Sequence, residues 1–372
     1  MRYFFSTGEE SGGLAAVALA EKIRAYDPEA TFEGIGGERM RAAGFSIFRD
    51  NAGWATLGPF AALPHVPKML REMWGTAAHV ARVRPDLVVL VDFGAFNVRL
   101  AAELRKKFAY TLPILDCFPP GAWLDSEKTA RSVASVAVPM PAFERQYRFY
   151  RSLGLPVRYF GHPLAPNYIA RAPLPPPPAG GGAVALLPGS RNVELANNLP
   201  RMLAAYRIVR AARPQLTARI GAADDAGERR IRTVLARAGC GEIAIARGVR
   251  EAVEGVDAAW VASGTAVLET ALLAVPTIAM YALGPLLGAY ARRIKRTAYV
   301  TLPNLVLDEA IVPELLLESA TPEALAAAME TLLRDPSDQY ANFARLRAAL
   351  GPSDALDRWA EFAVALARAG AA

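Results

Sequence analysis

The sequence predicts an α/β protein built from two doubly wound domains. Short apolar runs of strand length alternate with helical stretches on both sides of one segment rich in proline and glycine, residues 171–182. A chain of 372 residues is also long for one hydrophobic core, so two domains are the natural expectation. We therefore expect two Rossmann-like domains that face each other across a cleft.

The composition is typical of a globular enzyme and excludes a disordered chain. Apolar residues make up 53% of the sequence and charged residues 21%, with a net charge of +6. Cys117 and Cys240 are too few for a disulfide framework or a zinc site. The basic balance suits phosphorylated substrates and acidic membrane surfaces, although solvated helix faces explain it equally well. Acidic residues appear too early for a signal peptide, which favours the cytoplasm.

The first domain is expected to span residues 1–170. A glycine-rich turn, residues 7–13, follows its first strand, and this turn could bind phosphate or supply small residues for close packing. The last predicted strand leads into His162, for which a structural role is favoured over substrate contact. The predicted strands of this domain are residues 2–6, 31–35, 87–91, 110–115, 133–138 and 157–160.

Asp92 directly follows the continuous apolar run 87–91, which is typical of a strand buried on both faces of a parallel sheet. The residue is therefore expected at the carboxyl end of that strand, where open α/β sheets bind their ligands. This position makes Asp92 a candidate general base. A carboxylate there could equally cap the helix expected to begin near Phe96.

Two stretches bear on membrane contact. Residues 54–74 mix aromatic and aliphatic side chains with Lys68 and Arg71, a pattern that fits either a lipid interface or a helix that faces the core. Residues 270–291 carry no charge and are long enough to span a bilayer. Two prolines and two glycines interrupt the second stretch, so we predict no transmembrane span.

The segment 171–182 is expected to be a linker, because four consecutive prolines and three glycines cannot continue a packed element. The second domain is expected to span residues 183–345. Residues 346–372 are predicted to form a C-terminal helix that packs back on the first domain. The predicted strands of the second domain are residues 184–187, 216–220, 242–246, 256–262 and 277–281.

A candidate anion site lies in the second domain, where a buried strand leads into a helix through Ser263, Gly264 and Thr265. The free N–H groups at the helix start and the positive end of the helix dipole could hold a diphosphate. Glu269, one turn further along, could hold a ribose hydroxyl. Arg191 occupies another strand-to-helix turn and could bind phosphate oxygens, or it could form a surface salt bridge.

Asp224 and Asp225 resemble a pair of metal ligands, but they precede a predicted helix and are better explained as its N-terminal cap. We therefore expect no metal site.

Six motifs follow one another along the chain: GEESGG at 8–13, VDFGAFN at 91–97, GHPL at 161–164, LLPGSR at 186–191, ASGTAVLE at 262–269 and YVTLPNL at 299–305. Together they resemble the lipid-A-disaccharide synthase family, which has the GT-B glycosyltransferase fold, over nearly the whole chain. The resemblance implies an inverting transferase. Its substrates would be UDP-2,3-diacylglucosamine and 2,3-diacylglucosamine 1-phosphate, and its products the β-1,6 lipid A disaccharide and UDP.

The resemblance also implies roles for individual residues. These are Asp92 as base or electrostatic partner, Arg191 on the diphosphate, Ser263, Gly264 and Thr265 on phosphate, Glu269 on ribose, and Asn304 within a matching motif of unspecified contact. No metal, other cofactor or nucleic acid is expected. The implied location is the inner face of the cytoplasmic membrane, reached through residues 54–74 and 284–296. Whether the protein is a homo-oligomer is left open.

Three departures from the family pattern lie in the first domain. The family has acids where Gly13 and Ala95 stand, and its serine-proline-serine turn with paired tryptophans is FPPGAW at 118–123. Two further hypotheses therefore stay open: a paralogue that transfers a UDP-sugar to another acceptor, and a UDP-sugar-binding protein without turnover. A sugar-nucleotide epimerase also uses two such domains, but the string of motifs disfavours it.

Overall fold

The protein was analysed as a computed structural model that describes residues 1–8, 10–52, 54, 66–109, 111–120, 126–163, 172–177, 182–282 and 298–371. The chain forms two compact units. Unit 1 comprises Met1–Asn167 with Leu350–Ala372, and unit 2 comprises Tyr168–Ala349. Each unit contains one six-stranded sheet with the strands parallel, as the alternation of strands and helices predicts.

In unit 1 the sheet order is β3-β2-β1-β4-β5-β6, so the direction of sheet growth reverses between β1 and β4. The strands are β1 Arg2–Thr7, β2 Thr31–Gly36, β3 Ser46–Asp50, β4 Leu87–Val91, β5 Ile114–Cys117 and β6 Val138–Met140. The helices are α1 Glu10–Tyr26, α2 Glu38–Ala42, α3 Val66–Val83, α4 Gly94–Phe108, α5 Glu127–Ala134 and α6 Glu144–Ser152.

In unit 2 the order is β12-β11-β10-β7-β8-β9, and the reversal falls between β7 and β10. The strands are β7 Ala183–Leu187, β8 Thr217–Ala222, β9 Ala244–Arg247, β10 Ala258–Ala262, β11 Thr277–Tyr281 and β12 Glu314–Leu316. The helices are α7 Asn192–Ala212, α8 Asp225–Ala238, α9 Gly248–Val253, α10 Thr265–Leu272, α11 Leu302–Leu307, α12 Pro322–Arg334 and α13 Ser337–Ala349.

The central strands β4 and β10 were predicted correctly from their continuous apolar sequences. All five residues of β4 and all five of β10 are buried, because helices cover both faces of a parallel sheet. The predicted strand at 157–160 is wrong. Those residues form no strand, although the Arg158 N–H donates to the Pro139 carbonyl at 3.0 Å. Two edge strands, β3 and β12, were not predicted.

The last helix, α14 (Ala355–Ala371), packs on α1 and completes the core of unit 1. Trp359 on α14 is 1% exposed, and its indole Nε1–H donates to the Gly161 carbonyl at 3.1 Å. Lys22 of α1 pairs with Asp357 at 2.8 Å. The end of the chain is therefore part of the same hydrophobic core as its beginning.

Of the helices in the described ranges, none combines the length and the apolar character needed to cross a membrane.

We expect Trp359→Ala to lower the free energy of unfolding of unit 1 by about 3–5 kcal/mol, because it removes a buried indole and leaves the Gly161 carbonyl unpaired. Trp74→Ala is the control, because Trp74 on α3 is 56% exposed. That change should stay within about 0.5 kcal/mol. Denaturant unfolding followed by circular dichroism measures both, and equal losses would contradict the docking of α14.

Candidate functional site

The functional candidates lie at the strand ends where each sheet reverses. In open α/β sheets the ligand-binding crevice lies outside the carboxyl ends of the strands at that point. In unit 1 this edge carries the turn after β1 and Asp92 after β4. In unit 2 it carries Arg191 after β7 and the turn 263–265 after β10. Apart from Asn304, which lies in α11, each unit therefore carries its predicted residues at or near one edge of its sheet.

The turn between β10 and α10 leaves the start of the helix open. The Ser263 N–H donates to the Met280 carbonyl at 2.8 Å, which fixes the turn to the end of β11. Gly264 is the N-cap, with an extended backbone at φ 162° and ψ −161°. A Cβ atom on Gly264 would meet no described heavy atom within 4 Å, and Gly264 and Thr265 are exposed. The first N–H groups of α10 therefore face accessible space.

The turn after β7 holds Arg191 through a buried acid. The Arg191 Nη1 donates to Glu194 Oε1 at 2.8 Å, and its backbone N–H donates to Oε2 at 3.3 Å. The Glu194 side chain is only 7% exposed, whereas that of Arg191 is 33% exposed. The Tyr281 hydroxyl donates to the same carboxylate at 3.4 Å. Arg191 therefore forms an ion pair, as one of the two predicted alternatives, but its partner is the buried carboxylate of Glu194 and not a surface carboxylate.

Asn198 is a second anchor of this turn that the sequence analysis missed. Its Nδ2 donates to the Pro188 carbonyl at 3.0 Å, and its Oδ1 accepts from the Ala282 N–H at 3.0 Å. The side chain is fully buried and thus joins the end of β7 to the end of β11. Glu194 and Asn198 follow Arg191 by three and seven positions, which places them on one face of α7. This spacing is the feature of the sequence from which Glu194 and Asn198 could have been predicted.

Glu269 is half-buried on α10, one helical turn after Thr265. Asn304 lies elsewhere in unit 2, within α11, and is 1% exposed. Its Oδ1 accepts from the Val312 N–H at 2.8 Å, and its Nδ2 donates to the Val312 carbonyl at 2.8 Å and to Glu314 Oε1 at 2.9 Å. These bonds tie α11 to the chain that enters β12, so both ends of the Asn304 amide have internal partners.

In unit 1 the Asp92 turn is backbone-strained. Asp92 and Phe93 both have φ of 54°, a left-handed conformation that costs a residue with a side chain about 1–3 kcal/mol. Asn97 holds the turn in place, because its Nδ2 donates to the carbonyls of Asp92 at 2.5 Å and of Ser6 at 3.2 Å. The Phe93 ring lies over Gly8, where a Cβ atom would come within 2.1 Å of Cγ. Gly8 thus serves close packing.

The Asp92 carboxyl group is exposed at this edge. Its Oδ1 accepts from the Phe93 N–H at 2.8 Å. The N-cap of α4 is Phe93, and the helix begins at Gly94, slightly earlier than expected. Asp92 therefore stabilises the entry to the helix from the preceding position, while its side chain stays at the surface.

Asp116, near the end of β5, is a carboxyl group that the sequence analysis did not assign. It is 1% exposed, and its Oδ2 has no hydrogen-bond partner within the described residues. Burial, and secondly the charge of Asp92, raise the pKa of Asp116 well above its ordinary value. Burial therefore favours the neutral form of this carboxyl group.

His162 is buried against the rings of Phe118 and Phe143, with ring centroids 6.1 and 5.2 Å away. Its backbone N–H donates to the Leu350 carbonyl at 3.0 Å. Burial lowers the pKa of its imidazole to about 4, so the ring is neutral at pH 7. These surroundings fit the structural role that the sequence favours.

In the portion of the chain that the structure describes, no group of three or more His, Cys, Asp or Glu side chains could hold a metal ion. Of the pair Asp224 and Asp225, Asp224 caps α8 as predicted, because its Oδ1 accepts from the Gly227 N–H at 2.6 Å. Asp225 is bound instead to Arg247.

The predicted membrane-facing stretches are only partly described. Residues 55–65 and the whole of 284–296 lie outside the described residues, as do residues 121–123 of the FPPGAW turn. Trp54 is 6% exposed and packs on Phe96 at 5.4 Å between ring centroids, so it belongs to the core of unit 1. On α3, an exposed face carries Lys68, Arg71 and Trp74.

Comparison with known proteins identifies the family. The family model described as lipid-A-disaccharide synthetase matches residues 3–349. The lipid-A-disaccharide synthase of Anaeromyxobacter dehalogenans is 35% identical over 371 residues, which cover 95% of this chain and 94% of that protein. The synthase of Azotobacter vinelandii is 32% identical, with 99% of this chain and 98% of that protein covered.

Solved structures share the fold at low sequence identity. The UDP-GlcNAc 2-epimerase of Neisseria meningitidis, bound to UDP-GlcNAc, aligns with a TM-score of 0.66 at 11% identity, covering 98% of this chain and 100% of that one. MurG of Acinetobacter baumannii aligns with a TM-score of 0.54 at 14% identity, covering 97% and 98%. These likenesses show the GT-B fold class, and the family model with the sequence relatives shows that the chain belongs to the lipid-A-disaccharide synthase family of glycosyltransferases.

Proposed function

We propose that this protein is an inverting glycosyltransferase that joins UDP-2,3-diacylglucosamine to 2,3-diacylglucosamine 1-phosphate and releases UDP. The observation that supports this proposal most is the open start of α10 beside the Arg191 turn. Exposed N–H groups at a helix start, together with a guanidinium held at the same sheet edge, suit a diphosphate. The product would be the β-1,6 lipid A disaccharide.

In the proposed donor site, the N–H groups around Ser263, Gly264 and Thr265 bind the diphosphate. Arg191 binds its oxygens while Glu194 keeps the guanidinium oriented, because a charge-assisted pair restricts the rotamers of a long side chain. Glu269 accepts a hydrogen bond from a ribose hydroxyl.

We assign Asn304 a supporting role. Its amide already binds Val312 and Glu314, so it would hold α11 in place instead of contacting the nucleotide.

In the proposed reaction, Asp92 accepts the proton of the acceptor 6-hydroxyl. The hydroxyl oxygen bonds to the anomeric carbon on the face opposite the diphosphate, the carbon–oxygen bond to UDP breaks, and UDP leaves with the electron pair. A single displacement of this kind inverts the anomeric configuration. The α10 dipole and Arg191 stabilise the charge that develops on the leaving diphosphate, so we assign no step to a metal or another cofactor.

We further propose that the enzyme works at the inner face of the cytoplasmic membrane. Both proposed substrates carry acyl chains. The exposed face of α3 combines two cations, Lys68 and Arg71, with the indole of Trp74. Cations attract acidic headgroups, and tryptophan partitions into the interface.

The direct test supplies both proposed substrates to the purified protein and follows the lipid products by mass spectrometry. We expect a disaccharide 1-phosphate and an equivalent amount of UDP. UDP binding without this product would favour a paralogue with another acceptor or a binding protein without turnover. Absence of UDP binding would contradict the donor site itself.

Asp92→Asn should lower kcat by about 10²–10⁴-fold, the usual contribution of a general base, while the Kd for UDP changes less than about threefold. Asp308→Asn is a matched control, because Asp308 is also exposed and also has φ of 54°. Steady-state kinetics and calorimetric titration with UDP measure the two quantities. An unchanged kcat would reduce Asp92 to its role at the entry of α4.

Gly264→Leu should weaken UDP binding about tenfold or more, which corresponds to about 1.4 kcal/mol, because its side chain would fill the space in front of α10. The fold should tolerate the change, since nothing described lies within 4 Å of the added Cβ. Gly241→Leu is the control. A Cβ atom on Gly241 would also meet no described atom within 4 Å, and Gly241 lies away from the strand ends where the sheet order reverses. Equal UDP affinity in the two variants would argue against the α10 site.

Replacing both Lys68 and Arg71 with serine should weaken binding to phosphatidylglycerol-containing vesicles about tenfold or more, given about 1 kcal/mol for each cation near an acidic surface. The double change Arg229→Ser and Arg230→Ser on α8 removes the same charge from exposed positions of unit 2. Vesicle sedimentation compares the two proteins, and an equal reduction would indicate a net-charge effect without a specific surface.

A further inference from the structure

Two carboxyl groups lie at the ends of neighbouring strands in unit 1. In the β4–β5 ladder Leu90 pairs with Asp116 and Val91 pairs with Cys117, and the Asp92 N–H donates to the Cys117 carbonyl at 3.0 Å. Asp92 therefore follows the last paired residue of β4, directly beside the strand end that carries Asp116. The two side chains differ sharply in burial, since Asp92 is exposed and Asp116 is 1% exposed.

The surroundings of Asp116 offer little to stabilise a negative charge. The titratable groups that interact with it are Asp92 on the neighbouring strand, Cys117 on its own strand and Tyr150 on α6. Among the described residues, no cation contributes to its ionisation. Asp116 Oδ2 and the Tyr150 hydroxyl are both buried without a hydrogen-bond partner in the described part of the chain.

The ionisation of each group reflects this environment. Burial first, and the charge of Asp92 second, raise the pKa of Asp116 well above its ordinary value. Burial and the charge of Asp116 likewise raise the pKa of Tyr150. When two neighbouring carboxyl groups differ in solvation, burial favours the neutral form of the buried group, and the exposed group ionises more readily. The strand ends thus place an exposed and a buried carboxyl group side by side.

We propose that Asp116 is a positioning residue for the reaction at Asp92: it keeps its proton while Asp92 is ionised, so that the pair carries a single negative charge. This inference rests on the proposed role of Asp92 as the base. A second negative charge at this edge would repel the phosphorylated acceptor. The proton of Asp116 is not transferred in the reaction, and the hydroxyl proton goes to Asp92.

Carboxyl ¹³C NMR of aspartate-labelled protein tests the pair without relying on turnover. We expect one aspartate signal to remain that of a neutral acid at pH 7 and to be lost in both Asp116→Asn and Asp116→Glu. In Asp92→Asn that signal should titrate at lower pH, because the repelling charge is gone. An ionised Asp116 at pH 7, or identical titration in the wild type and Asp92→Asn, would overturn the inference.

The pH dependence of kcat/KM tests the consequence for catalysis. A folded group with a raised pKa holds its proton up to that pKa and loses it above, so the charge of the pair doubles only on the alkaline side. The wild type should lose kcat/KM tenfold per pH unit there. Asp116→Asn should lack this loss and Asp116→Glu should retain it, whatever their rates at neutral pH.

Asp338→Asn, an exposed change on α13, is the control and should keep the wild-type profile. If kcat/KM of Asp116→Asn falls at alkaline pH as it does in the wild type, the positioning role is overturned. Asp116 would then affect only the stability of the fold. The protein could make no disaccharide while the Asp116 signal still titrates at lower pH in Asp92→Asn than in the wild type. In that case the proposed reaction is wrong, but the inference that the two carboxyl groups carry a single negative charge is supported.

Discussion

The pairing of two parallel strands at the centre of each sheet determines where chemistry can occur in this protein. β1 pairs with β4 in unit 1, and β7 pairs with β10 in unit 2. The connections that follow these strands lead away from each other, so the turns at their carboxyl ends are not covered by the next element. The candidates Asp92, Arg191 and Gly264 all lie on such turns. The strands beneath them supply rigidity, and the turns carry the residues of the proposed site.

The buried polar groups near the two candidate sheet edges differ in how their hydrogen bonds are satisfied. In unit 2, Glu194 and Asn198 are buried with partners, and they join the ends of β7 and β11 into one hydrogen-bonded network. A satisfied network of this kind restricts motion and favours a single geometry around Arg191. In unit 1, Asp116 Oδ2 and the Tyr150 hydroxyl are buried and have no hydrogen-bond partner among the described residues. A buried polar group without a hydrogen-bond partner destabilises the fold. Its presence therefore points to a functional role.

Much of this architecture could be predicted from the sequence, because the physical signals were local. The apolar runs of β4 and β10 and the small residues 263–265 indicate strand, turn and helix by themselves. The left-handed backbone of Phe93 gives no such signal, since a residue with a side chain takes that conformation only when tertiary contacts impose it. Asp116 was missed for the same reason, because its burial depends on neighbouring strands and α6. Asn304 matched a motif, but its hydrogen bonds are structural.

The return of α14 to unit 1 has a consequence for the order in which the protein can form. Unit 1 contains residues that are synthesised before unit 2 and residues that are synthesised after it, because Trp359 packs beneath a sheet that begins at Arg2. Unit 2 is synthesised completely before α14 exists. The apolar surface of unit 1 that α14 covers therefore has no partner helix until the residues of α14 have been synthesised.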